Sequence, residues 1–240
     1  LVLPWPVIFL FLACYGVLML FLLQVYLSAS LPARQSLHPL SIARNYMQLI
    51  VDPSYLSVTL ASAAVYSGLL AYLSSASFVY IEMLGVPVQY FGFIFLSTVA
   101  GYVGGSGVSA RMASRYDSQQ TMLLGALLCL LTTIIMWTGA TLLTNNIWIL
   151  MLPMTIYAVG MGLVLPHAMA IALAPFPHIA GTASALLGFI QMGLSAIGTA
   201  AVGAMLKDSP QPMLAAMFVI NLAAVILSLK AYRQYRSQLT

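Results

Sequence analysis

The chain has 240 residues, 62% of them hydrophobic and 5% charged, with a formal net charge of +4. A run from Ser118 to Leu206 without Asp, Glu, Lys or Arg excludes a soluble domain, whose surface needs solvated charge throughout. The positive balance lies in gaps between apolar runs, so it reports membrane orientation and contact with anionic lipid rather than nucleic-acid binding.

A bilayer core takes roughly 20 apolar residues per helix. Cutting the chain where charge, Pro, Asn or Gly clusters break the runs predicts seven spans. They run from Pro6 to Leu27, Tyr55 to Ile81, Tyr90 to Ala110, Thr121 to Leu142, Ile147 to Leu165, Gly181 to Leu206 and Met213 to Leu229. Continuous apolar runs, not short alternating strands, favour helices over a barrel. The first span lacks the basic leader of a signal peptide and carries Trp5 and Tyr26 as interfacial anchors. A chain that opens on Leu1 directly before a span is expected to be part of a longer one.

The gap from Ser28 to Pro53 holds Arg34 and Arg44 and is the best boundary between structural halves. Within it, Ile42, Tyr46, Leu49 and Ile50 recur at helical spacing opposite Arg44, Asn45 and Gln48. That stripe predicts a short helix, either lying on the membrane interface or packed on protein. The six spans after this gap match the second half of a twelve-helix, two-fold repeated transporter, while seven spans by themselves would also fit a receptor.

The second span offers Tyr66, Tyr72, Ser75 and Phe78, and the fifth Met154, Tyr157 and Met161, as the aromatic and adaptable wall of a substrate cavity; helix packing is the alternative for each. Glu82 is the only carboxylate close to a span interior and a candidate for proton exchange; the alternative is an ordinary interfacial carboxylate. On the third span, Gly101 and Gly105 form a small-residue surface for close helix approach. Arg111 and Arg115 follow, four apart on one expected helix face. With Gly107 they are candidates for a conformational latch, with positive-inside anchoring as the alternative.

Pro153, Gly160, Gly162 and Pro166 predict a kinked or broken fifth helix, with Pro166 as a possible terminus. His167 is a second titratable candidate, or else a helix-end histidine bonded to a carbonyl. In the sixth span, Gly188, Gly193, Gly198 and Gly203 leave a small surface, for close packing or for sliding during transport. Gln191 and Asn221 are expected to bond across helices, Gln191 alternatively orienting substrate. Lys230, Arg233 and Arg236 follow the last span, while the remaining gaps supply only Lys207. The first gap, the third gap and the C-terminus are therefore expected inside and the N-terminus outside. Cys14 and Cys129 lie in separate spans and carry no redox signal. His38, His167 and His178 have no metal-ligand spacing, and no phosphate loop is present, so no enzyme chemistry, metal or cofactor is expected.

The stretch Leu163 to Gln191, LVLPHAMAIALAPFPHIAGTASALLGFIQ, closely resembles the tenth-to-eleventh helix region of the Bcr/CflA drug-resistance transporters of the major facilitator superfamily. PSYLSV, YLSSASFVYIEMLG and QYFGFIF, between Pro53 and Phe95, resemble that family's seventh and eighth helices. The resemblance implies an all-α membrane protein whose seven spans correspond to helices 6 to 12 of the superfamily fold. Residues 1–27 would be the last helix of the N-terminal half, 28–54 the cytoplasmic inter-half loop, 55–230 the six-helix C-terminal half and 231–240 a cytoplasmic tail. It implies export of small amphipathic compounds across a bacterial inner membrane, with the proton as coupling ion. The partners would be the lipid bilayer, the substrate and a missing N-terminal half without which the chain is expected to be inactive. Two departures stand out: no acidic residue precedes Arg111 in the loop motif, and His167 occupies a position where the family pattern implies a neutral amide. A carrier of a specific metabolite, or a seven-helix protein that does not transport, remain open alternatives.

Overall fold

Backbone polar groups in hydrocarbon have no water to bond, so each apolar run must satisfy its own, as a helix does. The computed structural model describes residues 6–26, 38–142, 146–205 and 209–237; Trp5, Arg34 and Lys207 lie outside them. Every described element is helical, and seven helices are long and apolar enough to cross a membrane.

The chain divides into two compact units, residues 1–36 and 37–240. The first contains α1 (Pro6–Tyr26), whose 21 residues extend about 31 Å at about 1.5 Å per residue, the thickness of a bilayer core. The second contains α2 (Pro39–Val51), α3 (Pro53–Ser77), α4 (Val88–Met112), α5 (Ser118–Leu142), α6 (Trp148–Leu173), α7 (Ala180–Met205) and α8 (Gln211–Ser237). α2 packs on α3 and α7 through buried Leu49 and half-buried Tyr46, while Ile42 and Ile50 stay exposed. The predicted stripe is thus only partly used for packing on protein.

α3 begins with a cap. Asp52 accepts a hydrogen bond from the Tyr55 N–H at 2.7 Å, and Pro53 occupies the first turn, where its missing donor costs nothing. Its far end continues as a π-helical turn, Phe78–Met83. Gly85, at φ +67°, then turns the chain so that the Val86 N–H reaches back to the Tyr80 carbonyl.

Cross-helix contacts fix the directions. Tyr55 meets Ala183 and Ser67 meets Ser195, so α3 and α7 run parallel. Gly101 faces Thr155 and Gly105 faces Val159, so α4 and α6 also run parallel. Thr133 meets Asn221 and Trp137 meets Phe218, which makes α5 and α8 antiparallel. Successive helices therefore alternate in direction. The main packing pairs are α5 with α6, α4 with α6, α3 with α7, α3 with α8, α5 with α8 and α3 with α6. Exchanging the triplet α3–α4–α5 for α6–α7–α8 maps that set onto itself, and α3 and α6 run in opposite directions. The unit is thus an inverted repeat, a plan widespread among secondary transporters. Its lead helices, α3 and α6, are the most buried.

Two expectations need correction. The fifth span does not stop at Leu165; α6 continues through both Pro153 and Pro166 to Leu173. Pro166 removes a single donor, and α6 is held along both flanks: a Cβ at Gly160 would meet Cys129 of α5, and one at Gly162 would meet Gly105 and Ser106 of α4. Leaving the helix would expose more backbone than the proline does. Secondly, the glycine-rich face of α7 is not a tight packing surface within this unit. A Cβ at Gly188, Gly193 or Gly203 would meet nothing within 4 Å, and one at Gly198 only the tip of Ile220. Gly101 and Gly105, by contrast, do serve close approach, since a Cβ at either would collide with the backbone of α6.

Candidate functional site

An amide or phenol inside an apolar bundle must find a partner, and those partners sort the candidate residues into two regions. The first is a closed junction of α3, α5, α6 and α8. The Tyr157 hydroxyl shares its one proton between the Val65 carbonyl at 2.7 Å and Asn221 Oδ1 at 3.1 Å. Asn221 Nδ2 donates to Thr133 Oγ1 at 3.2 Å and to the Met217 carbonyl at 2.8 Å. Gly68 supplies the room, because a Cβ there would collide with the Tyr157 hydroxyl. Met154 and Met161, on the same helix as Tyr157, are buried too.

Tyr72 is likewise enclosed: its hydroxyl donates to that of Tyr80 at 2.9 Å, and their rings meet edge to face. Ser75 is also buried. Tyr72, Ser75, Met154, Tyr157 and Met161 therefore sit in the interior of the six-helix unit in this structure, not on an open wall. Burial on all sides is common in membrane helices, whose nearly uniform apolarity does not reveal which face turns inward.

The second region is a half-open face along α3 and α7. Gln191 Nε2 donates to Ser62 Oγ at 3.3 Å, and Gln191 remains half-buried. Tyr66, one turn beyond Ser62 on α3, is also half-buried, as is Phe78 nearer the far end. Behind them Ser67 and Ser195 pair hydroxyl to hydroxyl at 3.1 Å, fully buried. The result is an apolar surface with an aromatic ring one turn along from an amide, which suits an amphipathic molecule.

The titratable candidates lie apart. Glu82 is in the π-helical turn, exposed and without an ion-pair partner among the described residues. His167 is inside α6, six residues before its end, with 4% of its surface exposed. It faces the backbone of Ser109 on α4, and its Nε2 has no hydrogen-bond partner among the described residues. A helix-end position was expected for this histidine; it lies instead within α6, against α4.

The loop residues differ from expectation in one respect. α4 ends at Met112, so Arg115 lies in the following turn and not on the helix face of Arg111. The Ser114 hydroxyl caps the Arg111 carbonyl at 2.9 Å, and the Arg115 and Tyr116 N–H groups both return to Met112. Arg111 bonds the Gly107 carbonyl at 3.4 Å, and both arginines line a depression of about 400 Å³ with Val108, Met112, Ser114 and Tyr116. Because the helices alternate, Arg44, Arg111, Arg115, Lys230, Arg233 and Arg236, all the described Lys and Arg, belong to one end of the unit and Glu82 to the other.

Six apolar helices in an inverted repeat, with basic residues at one end and a half-open amphipathic face, define a multi-pass membrane protein of the transporter kind. The profile of the Major Facilitator Superfamily matches residues 1–199, and the chain belongs to that superfamily. It is 29% identical over 192 residues to a bicyclomycin resistance protein homolog of Haemophilus influenzae, covering 80% of this chain and 47% of that one. Over 218 residues it is 29% identical to the uncharacterized MFS-type transporter YdgK of Bacillus subtilis, covering 90% and 54% respectively. Over 164 residues it is 27% identical to multidrug resistance protein D of Escherichia coli, covering 67% and 40%. The chain spans about half the length of these relatives, and the resemblance to Bcr/CflA-type drug transporters holds at modest identity.

Proposed function

We propose that the chain is the C-terminal part of a proton-coupled exporter of small amphipathic compounds in a bacterial inner membrane. Its seven spans take the places of helices 6 to 12: residues 1–27 as the last helix of the N-terminal half, 28–54 as the inter-half loop, 55–230 as the C-terminal half and 231–240 as a cytoplasmic tail. The basic end of the six-helix unit faces the cytoplasm. The reading is carried by the similarity, over most of the chain, to a relative named for bicyclomycin resistance and to one named for multidrug resistance.

The site that suits this role is the half-open α3–α7 face. Tyr66 and Phe78 offer rings to an apolar substrate, and Gln191 offers an amide already partly held by Ser62. Tyr72, Ser75, Met154, Tyr157 and Met161 are enclosed in the interior of the unit. Glu82 and His167 are the proton-exchange candidates, one exposed at the outer end and one buried against α4. Gly107, Arg111 and Arg115 form the cytoplasmic latch.

Dye transport into inverted vesicles by the full-length parent tests the site. Gln191→Ala and Tyr66→Ala should each raise the apparent KM for an amphipathic dye about 5- to 10-fold, with membrane abundance unchanged. Unaltered KM in both would remove the α3–α7 face from the substrate path. Absence of dye transport by the unmodified parent would favour a carrier of a specific metabolite.

A further inference from the structure

The basic end of α8, placed in the cytoplasm by the proposed function, carries a groove that none of the preceding roles uses. It is an open depression of about 430 Å³ lined by Ile226, Leu229, Lys230, Arg233 and Gln234. These positions follow helical spacing, so all five side chains share one face of α8 over about 12 Å of helix. The face is apolar toward the span and basic toward its end, with Ile226 57% exposed and Lys230 and Arg233 exposed. Neither cation has a carboxylate or hydrogen-bond acceptor among the described residues, whereas neighbouring Arg236 is engaged over the ring of Tyr232 at 5.9 Å. Gln234 Oε1 is buried and has no donor.

We propose that this groove binds one phosphatidylglycerol-type phospholipid of the cytoplasmic leaflet. The apolar and the basic part of the face each match one part of that molecule. Ile226 and Leu229 lie where the first acyl methylenes run alongside α8, and Lys230 and Arg233 reach the phosphate, the arginine as a two-pronged donor. Phosphatidylcholine fits worse, because its quaternary ammonium adds a positive charge beside two cations. The long basic side chains keep their heads at headgroup level while their stems cover apolar surface. The bound lipid fixes the depth and rotation of α8, through which Asn221 ties into the four-helix junction.

Native mass spectrometry of the full chain in detergent, titrated with dioleoylphosphatidylglycerol or dioleoylphosphatidylcholine, tests the assignment. One tightly retained phosphatidylglycerol is expected, with phosphatidylcholine at least 10-fold weaker. Lys230→Gln with Arg233→Gln should weaken that adduct about 30-fold, from about fivefold per basic residue. Arg111→Gln with Arg115→Gln, which alters the same net charge elsewhere, should weaken it less than twofold. Arg233→Lys, which keeps the charge, should retain most of the binding and guards against a folding defect. Free glycerol 3-phosphate should not displace the lipid at equal concentration, because it lacks the acyl chains. Unchanged binding in the α8 double variant, an equal loss in the α4 variant, equal retention of phosphatidylcholine, or displacement by glycerol 3-phosphate would each overturn the proposal.

Discussion

The Tyr157 junction is the most exacting test of the packing, because Gly68 and the Tyr157 hydroxyl contend for the same space. Tyr157→Phe removes the donor to Asn221 Oδ1, leaving a fully buried amide oxygen without its cross-helix partner. Leaving such a group unsatisfied costs about 1–3 kcal/mol in general, whereas single hydrogen bonds in membrane bundles average about 0.6 kcal/mol. About 1 kcal/mol is the expected loss. Gly68→Ala drives a methyl into the hydroxyl and to within 3.3 Å of Asn221 Nδ2, an overpacking expected to cost about 2 kcal/mol. In the double variant the hydroxyl is gone and the methyl meets mainly the ring edge, so the combined loss should fall short of the sum by about 1 kcal/mol. Reversible unfolding of the 240-residue chain in mixed micelles, across the four members of the cycle, reads the coupling. Additivity within 0.3 kcal/mol, or a neutral Gly68→Ala, would refute the reasoning.

Further expectations concern the other helix contacts. Gly105→Ala should destabilise the chain by about 1–3 kcal/mol, because the new Cβ meets the backbone carbonyl of Val159, while Gly193→Ala on the open face of α7 should stay within about 0.5 kcal/mol. The same micelle assay distinguishes them, and equal effects would contradict the contact pattern. Cys129, fully buried beside the Tyr157 carbonyl, should resist a small maleimide until the protein is denatured. Mass spectrometry of labelled protein checks this, and rapid native labelling would show that the α5–α6 interface opens. Pro166→Ala should leave α6 helical to Leu173 and lower the hydrogen–deuterium exchange of residues 162–166, since the substitution restores a donor. Faster exchange there would mean that the proline is required for the helix path.

The number of spans and most of their positions were legible because charge, or Pro, Asn and Gly clusters where charge is absent, breaks the apolar runs, and Asn221 was legible because a lone amide in hydrocarbon needs a partner. α2 was legible as a helix, but its stripe did not reveal that only Leu49 would be buried. The passage of α6 through Pro166 was not legible, since a proline after a glycine-rich stretch reads as a stop until Gly160 and Gly162 are seen clasped by α5 and α4. The two glycine patterns looked alike in sequence yet differ in space: Gly101 and Gly105 meet the backbone of a parallel neighbour, and the α7 glycines meet at most the tip of Ile220. The intended cavity wall was the least legible feature. Tyr66 and Tyr72 lie six residues apart on a helix apolar on every side, and only packing shows the first half-open and the second enclosed.

Proton-driven export is the central claim, and it is tested most directly by reconstituting the full-length parent into liposomes and imposing a pH step with a fluorescent amphipathic substrate present. The account predicts substrate movement against its gradient, driven by the inward proton gradient, abolished by a protonophore and reduced at least 10-fold when Glu82→Gln and His167→Asn are combined. Movement indifferent to the protonophore, or undiminished in the double variant, would contradict it.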